Sequence, residues 1–424
     1  MLTPIIFVHG NGDTAALWHT TVWRFESNGY ARARLFAIDF TNPTARSDDN
    51  QPQEARSSTA DQLRELTAFV AEVQKQTGAP RVALVASSRG ANAVRNFIRN
   101  GGAASVSHAV LAGGVNHGVY ALAEFNPASE YNGLGPFMRA LNAPYPDGAE
   151  VTPGVRWMTL RSDGNDKYAQ PDGRFIARPG MATNITADGP ALRGAENVVL
   201  PGADHREVAF GRAAFAAMFR FITGAAPLRT DVFPEQQVVL NGRLSGYRNG
   251  APTNLPLTGG NVTIYHVAGN TGARMRLAPY QRGVEADGAW GPFTVDAGAA
   301  LEFVIEADGY PITHIYRSPF SRSSDSIHLR PAAPGSLTDE DRKSGSVVAI
   351  TRPRGYFGVG RDTFLIDGKV PDGVTAGVPG VSFARTRLSA APPHAIAAQF
   401  NDERITVVNW PAAEGRIVFA EFHY

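Results

Sequence analysis

The chain has 424 residues, of which 43% are hydrophobic and 19% are charged, a composition typical of a folded globular protein and not of a disordered one. Its 40 Lys and Arg residues and 39 Asp and Glu residues leave a net charge of +1, which argues against nucleic acid as a partner. The sequence contains no cysteine, so disulfides and thiolate metal sites are excluded.

The start of the chain bears on its compartment. No apolar stretch reaches the ~18 residues that a membrane-spanning helix needs, and no signal peptide is visible. A strand-like run begins almost at once, at residue 5. A cytoplasmic protein and a mature exported chain with a new initiating Met both fit this start. The early entry into structure favours a secreted or periplasmic protein.

Residues 1–223 alternate between short apolar runs and amphipathic stretches, which predicts an α/β fold. Six strands are predicted at 5–8, 35–40, 82–85, 106–111, 155–160 and 198–200, and four helices near 14–27, 58–77, 90–99 and 209–221. Strands that alternate with helices indicate a mainly parallel sheet covered by helices on both faces.

The pattern changes after residue 223. Residues 224–234 have the composition of a linker, and helical periodicity is scarce beyond them. Short β-type runs separated by Gly, Asn, Asp and Pro predict one or two all-β sandwich or barrel domains. Residues 235–330 are predicted to form a β-sandwich-like domain. Residues 337–424 form either a second β domain or the remainder of a composite one.

The segment Ala86-Ser87-Ser88-Arg89-Gly90 lies directly between a predicted buried strand and a helix. A nucleophile elbow has this context, because a tight turn there lifts a serine above the sheet edge. The turn needs small residues two positions before and after the serine. Ala86 and Gly90 meet that need for Ser88. Ser87 would place two larger side chains, Val85 and Arg89, at those positions, so Ser88 is the predicted nucleophile.

A serine nucleophile that attacks a carbonyl needs two hydrogen-bond donors for the developing oxyanion. One is the backbone N–H of the residue after the nucleophile, here Arg89. The other comes from a loop after an early strand, and His9-Gly10-Asn11-Gly12 supplies such a loop. Asn11 is therefore the second predicted donor, and His9 is predicted to be structural.

The remaining partners of the nucleophile are expected in the order acid, then histidine. His205 follows the last predicted strand of residues 1–223 and precedes the last helix, which is the expected place of the general base. Asp163 and Asp166 both follow the strand at 155–160, and either could orient the histidine. Asp204 is expected to face solvent or to cap a loop.

Residues 1–223 resemble bacterial and archaeal lipases and carboxylesterases of the α/β-hydrolase superfamily. Residues 165–171 resemble a lipase pattern that implies Asp166 as the acid, with Asp163 as the alternative, and 116–118 resemble a structural turn of lipases. The layout as a whole is similar to two-domain lipases with a C-terminal β domain. The resemblance rests on His9-Gly10, Ala86-x-Ser88-x-Gly90, Asn116-His117-Gly118, the Asp163/Asp166 loop and Asp204-His205.

These features predict a carboxylic-ester hydrolase that works through a Ser-Asp-His triad and an acyl-enzyme. Its partner is an acyl ester or a lipid, with transient contact with a lipid surface, and no cofactor or metal is predicted. The alternatives are a polyester depolymerase or amidase with the same triad, and a non-catalytic protein that binds a surface or a carbohydrate. Residues 119–150, which are rich in apolar side chains, form either a lid over the site or a core-packed insertion.

Overall fold

The computed structural model describes residues 2–424, and its N-terminal half is built on a six-stranded sheet. The order across the sheet is β2-β1-β3-β4-β5-β6, and all five neighbouring pairs are parallel. The strands are β1 (Ile5–Val8), β2 (Leu35–Ile38), β3 (Val82–Ser87), β4 (Val106–Ala112), β5 (Arg156–Ser162) and β6 (Glu196–Leu200).

Six α-helices accompany this sheet, together with several single-turn 3₁₀ segments. The helices are α1 (His19–Glu26), α2 (Thr59–Thr77), α3 (Arg89–Arg99), α4 (Pro136–Leu141), α5 (Glu207–Phe210) and α6 (Arg212–Thr223). The longest helix, α2, has both ends specified by sequence. Ser58 and Asp61 form a reciprocal capping box at its start, and Gly78 ends it with a φ of +64°.

Alternate residues of a strand face opposite sides of the sheet, and this gives the N-terminal half two cores. Phe7 packs on one side with Phe25 of α1 and Phe215 of α6. Its neighbour Val8 packs on the other side with Val94 of α3. The predicted parallel sheet covered on both faces is therefore confirmed.

The predicted elements are found close to their predicted positions, with two differences at helices. The helix predicted near 14–27 begins as a 3₁₀ turn, Ala15–Trp18, before α1. The helix predicted at 209–221 is instead the pair α5 and α6. Gly211 separates the two with an extended conformation, φ −72° and ψ 164°, which interrupts the helical path.

The C-terminal part of the chain consists of β-sheets, as predicted, with one short helix, α7 (Asp339–Lys343). Its strands are β7 (Gln237–Arg248), β8 (Ala251–Pro256), β9 (Asn261–His266), β10 (Tyr280–Gly283), β11 (Ala289–Asp296), β12 (Leu301–Glu306), β13 (Ile312–Arg317), β14 (Ser324–Leu329), β15 (Ser346–Thr351), β16 (Phe364–Ile366), β17 (Phe383–Leu388), β18 (Ala395–Phe400), β19 (Glu403–Val408) and β20 (Arg416–Glu421).

These strands form three sheets. The largest has seven strands in the order β10-β9-β12-β13-β20-β15-β17, and the others are β11-β7-β14, with β8 on β7, and β16-β18-β19. In the largest sheet β13 pairs in parallel with β20, and Ile315 lies opposite Phe419. This sheet therefore contains strands from both of the predicted β ranges, 235–330 and 337–424.

By contacts the chain divides into two units. The first extends to Val232 and includes Ala251–Thr253, and the second comprises Phe233–Gly250 and Asn254–Tyr424. Within residues 2–424, no helix combines the length and the apolar character that crossing a bilayer requires.

Four buried or half-buried histidines predict how the free energy of unfolding depends on pH. Desolvation lowers the pKa of His9, His314 and His423, and it lowers the pKa of His108 to about 4. Below the unfolded-state pKa of about 6.5, the unfolded chain takes up protons that the folded chain resists. We therefore expect the free energy of unfolding to fall as the pH is lowered from 7.5 to 5.0.

Denaturant unfolding at the two pH values measures this change, and His108→Gln isolates one contribution. Since His108 is half-buried and its charge is partly screened, its share at pH 5.0 is about 1 kcal/mol, and the variant should lose that much of the pH dependence. Stability that is unchanged or higher at pH 5.0 would contradict the prediction.

Candidate active site

Ser88 occupies the turn between β3, which ends at Ser87, and α3, which begins at Arg89. Its backbone has φ +52° and ψ −121°, a conformation that is uncommon and strained for a residue with a side chain. Gly90 permits the turn, because a Cβ there would lie 2.6 Å from the carbonyl oxygen of Val8. The strained turn leaves Ser88 partly exposed while its neighbours in the chain are buried.

A continuous hydrogen-bonded chain joins Ser88 to His205 and Asp166. His205 Nε2 lies 2.9 Å from Ser88 Oγ, and His205 Nδ1 lies 2.8 Å from Asp166 Oδ1. His205 and Asp166 are each only 3% exposed. Asp166 Oδ1 also accepts a hydrogen bond from the backbone N–H of Tyr168 at 2.8 Å, which fixes the carboxylate in its loop. The three side chains that sequence reasoning favoured thus lie together.

Asp163, the alternative acid, has a different environment. It is exposed, and its carboxylate accepts hydrogen bonds from the backbone N–H of Gly202 at 3.0 Å and of Gly164 at 2.6 Å. The bond from Gly202 is the main reason that the pKa of Asp163 is lowered. Asp163 therefore links the loop after β5 to the loop after β6.

Asp204 is buried and does not face solvent. Its Oδ1 accepts hydrogen bonds from the backbone N–H groups of Arg206 at 2.8 Å and Glu207 at 2.9 Å. These N–H groups belong to the turn that leads into α5, so Asp204 holds that turn in place beside His205.

Of the two predicted oxyanion donors, Arg89 directly follows Ser88, and Asn11 directly follows Gly10, which packs against Ser88. Arg89 is the first residue of α3, where backbone N–H groups have no partner within the helix. Gly10 packs so closely that an added Cβ would lie 3.0 Å from the Cβ of Ser88. Asn11, the next residue, holds this loop in place because its Oδ1 accepts a hydrogen bond from Ala45 N at 2.8 Å. Their role as donors stays a prediction.

His9 and His117 have structural contacts. His9 is fully buried, accepts a hydrogen bond from Phe40 N through Nε2 at 3.1 Å, and contacts the carbonyl oxygen of Gly10 through Nδ1 at 2.8 Å. His117 bonds to the carbonyl oxygen of Gly189, and its Nε2 lies 3.1 Å from Glu150 Oε1. Across residues 2–424, no group of three or more His, Asp and Glu side chains is arranged to hold a metal ion.

Sequence reasoning missed several residues that support His205. The ring of Tyr168 packs edge-on against the imidazole, with 4.7 Å between centroids. Gly113, with φ +57°, packs directly against His205, because a Cβ at Gly113 would lie 2.8 Å from the His205 carbonyl oxygen. Arg206 Nη2 binds Asp13 Oδ1 at 2.8 Å and so joins the histidine loop to the loop after β1. No short-range pattern identifies partners this far apart in the chain.

Comparison with known proteins gives two family matches. Residues 2–126 match the family model described as Lipase (class 2), and residues 236–334 match the family model described as Lipase C-terminal domain. The two matches together support a hydrolase of the lipase and esterase family with a C-terminal β domain. The first match includes β1, the Asn11 loop, Ser88 and α3.

Three solved structures that are similar to part of this chain are a lipase, a phospholipase and a carboxylesterase. The Bacillus licheniformis lipase BlEst2 is 18% identical over 52% of this chain and 92% of its own, with a TM-score of 0.38. The Legionella pneumophila phospholipase PlaB is 14% identical over 79% of this chain and 97% of its own, with a TM-score of 0.37. The Bacillus subtilis carboxylesterase CesB is 16% identical over 53% of this chain and 85% of its own, with a TM-score of 0.30.

Residues 119–150 of the hydrolase are tied down at several points. The backbone N–H of Ala121 donates to Thr183 O at 2.8 Å, and the backbone N–H of Asp49 donates to Ala128 O at 3.1 Å. Of the apolar side chains in the segment, Met138 is fully buried, whereas others, such as Leu134 at 41%, are exposed. These contacts are those of a packed insertion.

The strongest of these attachments is an ion pair with the residue after Ser88. Arg89 and Glu130 are both fully buried, with Arg89 Nε 2.7 Å and Nη2 2.6 Å from Glu130 Oε1. Arg89 Nη1 also donates to Pro43 O at 3.1 Å and to Ser57 Oγ at 2.9 Å. Burial opposes the charge of Arg89, but Glu130, together with Tyr131 and Asp49, outweighs it and raises the pKa of the guanidinium. The pair therefore joins α3 to the 119–150 segment.

Replacing Glu130 by glutamine should destabilise the hydrolase strongly, because it leaves the Arg89 charge buried without its counter-charge. Removing one partner of a buried ion pair lowers the free energy of unfolding by about 3–5 kcal/mol. Because the glutamine keeps an amide oxygen that can accept a hydrogen bond, we expect a loss near the lower limit. Urea unfolding measures it, with the exposed Glu124→Gln as the control. A loss below about 1 kcal/mol, the size of one ordinary hydrogen bond, would contradict this reading of the pair.

Proposed function

We propose that the hydrolase cleaves carboxylic esters through an acyl-enzyme formed on Ser88. The observation that carries the proposal is the Ser88–His205–Asp166 chain of hydrogen bonds, 2.9 Å and 2.8 Å long, at the strained turn after β3. A serine, an imidazole and a carboxylate in this arrangement form a nucleophile, a general base and a group that orients the base.

In the first half of the reaction, Ser88 Oγ attacks the ester carbonyl carbon while His205 Nε2 takes the hydroxyl proton. The carbonyl oxygen becomes an oxyanion, which the backbone N–H groups of Asn11 and Arg89 stabilise. The tetrahedral intermediate then expels the alkoxide, and His205 protonates it as the alcohol leaves. Asp166 holds Nδ1–H throughout, so that Nε2 faces Ser88, and it stabilises the imidazolium.

In the second half, water attacks the acyl carbon while His205 removes a proton from it. The bond to Ser88 Oγ then breaks, the carboxylic acid leaves, and the proton returns from His205 to the serine. Substrates are acyl esters or lipids, in keeping with the family. Export to the periplasm or the medium stays a prediction.

A fluorophosphonate reagent tests the proposal directly, because it reacts only with an activated serine. The reagent should inactivate hydrolysis of 4-nitrophenyl butanoate, and mass spectrometry should find one adduct, on Ser88. An adduct on another serine would overturn the assignment. The absence of both turnover and labelling would favour the alternative, a non-catalytic protein that binds a surface or a carbohydrate.

The second candidate, a polyester depolymerase or amidase, uses the same three residues and differs only in the substrate that reaches Ser88. Assays of the wild type on a polyester film, on 4-nitroanilide amides and on a chain-length series of 4-nitrophenyl esters decide among these substrates.

A further inference from the structure

A cleft of about 240 Å³ lies beside the loop that follows β1. Asn11, the proposed oxyanion donor, forms part of its wall, together with aromatic side chains such as Tyr120 of the 119–150 segment. Gly10, the residue before Asn11, packs against Ser88, with only 3.0 Å between an added Cβ and the Ser88 Cβ, so the loop that supplies Asn11 also contacts the proposed nucleophile.

The wall of the cleft carries positive charge. Arg46 and Arg56 both line it, and none of the described lining residues is acidic. Arg46 Nη2 lies 3.0 Å from Asp61 Oδ2, but Asp61 is shared with Arg64, whose Nη2 lies 2.9 Å from Oδ1. Arg56 Nη1 donates to a neutral group, the carbonyl oxygen of Ala45, at 2.9 Å. Asp61 therefore balances only part of the charge of these three guanidinium groups.

Two hydrogen-bonding atoms in the wall are buried and have no partner among residues 2–424, namely Arg46 Nε and Tyr131 Oη. Buried polar atoms without partners are rare in folded proteins and call for an explanation. Burial raises the pKa of Tyr131 well above its ordinary value, so the hydroxyl keeps its proton and can donate. Arg46 Nε can only donate and Tyr131 Oη can donate, so an acceptor in the cleft would suit both atoms.

Tyr131 also connects the cleft to the other side of the hydrogen-bonded chain. It packs in one apolar cluster with Tyr168, and the ring of Tyr168 contacts the imidazole of His205. The lining residues Asn11 and Tyr131 are thus next to Gly10, which packs against Ser88, and Tyr168, which packs against His205.

We propose that this cleft binds a negatively charged group, a carboxylate or a phosphate, which the ester substrate carries near its scissile bond. Guanidinium groups match both anions in geometry, and hydrogen bonds between charged partners are stronger than neutral ones. The aromatic wall fits the short apolar chain that separates the charge from the ester. The inference deepens the proposed ester hydrolysis at Ser88 and rests on it.

Two matched pairs of esters test the inference and distinguish the sources of the charge. In the first pair, mono-4-nitrophenyl glutarate carries a carboxylate on the acyl side, and 4-nitrophenyl pentanoate is its neutral counterpart. In the second pair, dibutanoylglycerol phosphate carries a phosphate on the alcohol side, and dibutanoylglycerol is its neutral counterpart. Because the two members of a pair differ in intrinsic reactivity, the measured quantity is the ratio of their kcat/KM values, compared between wild type and variants.

In Arg56→Gln we expect the charged-to-neutral ratio to fall roughly tenfold or more in at least one pair, the loss typical of one charge-assisted hydrogen bond. Arg56→Lys, which keeps the charge, should retain most of the preference. Arg64→Gln is the matched control, because Arg64 also binds Asp61 but is 70% exposed and outside the cleft wall. It should keep the wild-type ratio, and melting curves verify that each variant is folded.

An unchanged ratio in both pairs for Arg56→Gln overturns the anion subsite and leaves ester hydrolysis intact. Turnover that survives Ser88→Ala overturns the proposed function instead. A binding measurement separates the two further, since it needs no turnover. Calorimetric titration of folded Ser88→Ala should show monoethyl glutarate binding about tenfold tighter than ethyl pentanoate, and this difference should vanish when Arg56→Gln is added.

Discussion

Ser88→Ala is expected to lower kcat for ester hydrolysis by roughly 10⁴–10⁶-fold, because removal of the nucleophile of a triad removes nearly all of its catalysis. The substitution deletes one oxygen and leaves the turn as it is, since alanine and serine tolerate the φ of +52° about equally. The loss should appear with a soluble substrate such as 4-nitrophenyl butanoate, and the melting temperature should stay close to that of the wild type.

Ser87→Ala supplies the matched control, because Ser87 is the neighbouring serine and the weaker candidate. It is buried within β3, where it lies opposite Ala112 of β4, so its side chain is part of the sheet. The Ser87 variant should keep its activity within about tenfold. If Ser87→Ala were the inactive protein and Ser88→Ala the active one, the nucleophile assignment would be wrong.

The local parts of the site could be predicted from sequence because each depends on short-range pattern. The small residues around Ser88 predict the turn, and the structure gives the reason for one of them, since a side chain at Gly90 would collide with Val8 O. His205 was found by its place between a strand and a helix. Buried parallel strands were predicted well because they are nearly continuous apolar runs.

The parts that failed depend on tertiary contacts or on weak local signals. The Arg89–Glu130 pair joins residues that are 41 positions apart, and nothing around Glu130 marks it as buried. In the β region, strands with exposed or half-exposed polar residues, such as β10 (Tyr280–Gly283) and β14 (Ser324–Leu329), carry little hydrophobic signal of their own. Half-exposed strands hold their place through neighbouring strands and not through their own hydrophobicity.

The choice between Asp163 and Asp166 marks the limit of sequence reasoning, because both follow β5 within four residues of its end. Only the path of the loop separates them. It places Asp166 Oδ1 2.8 Å from His205 Nδ1 and leaves Asp163 exposed beside the loop after β6. The sequence resemblance favoured the same residue, and mutation distinguishes the two roles.

Asp166→Asn should lower kcat by roughly 10³–10⁴-fold, because an amide in place of the carboxylate favours the wrong imidazole tautomer and no longer stabilises the imidazolium. Asp163→Asn should cost less than about tenfold in kcat and about 1 kcal/mol in stability, since the amide oxygen can still accept a hydrogen bond from Gly202 N. The two variants have the same chemical change three positions apart, so each serves as the control for the other.

Steady-state kinetics, fluorophosphonate labelling rates and urea unfolding should be measured on both proteins. Slow labelling in Asp166→Asn with normal unfolding identifies a loss of serine activation and not of folding. Equal, small losses of kcat in the two variants would mean that the acid lies elsewhere. A large loss confined to Asp163→Asn would mean that the loop after β5 changes its path when substrate binds, because only then could Asp163 replace Asp166 beside His205.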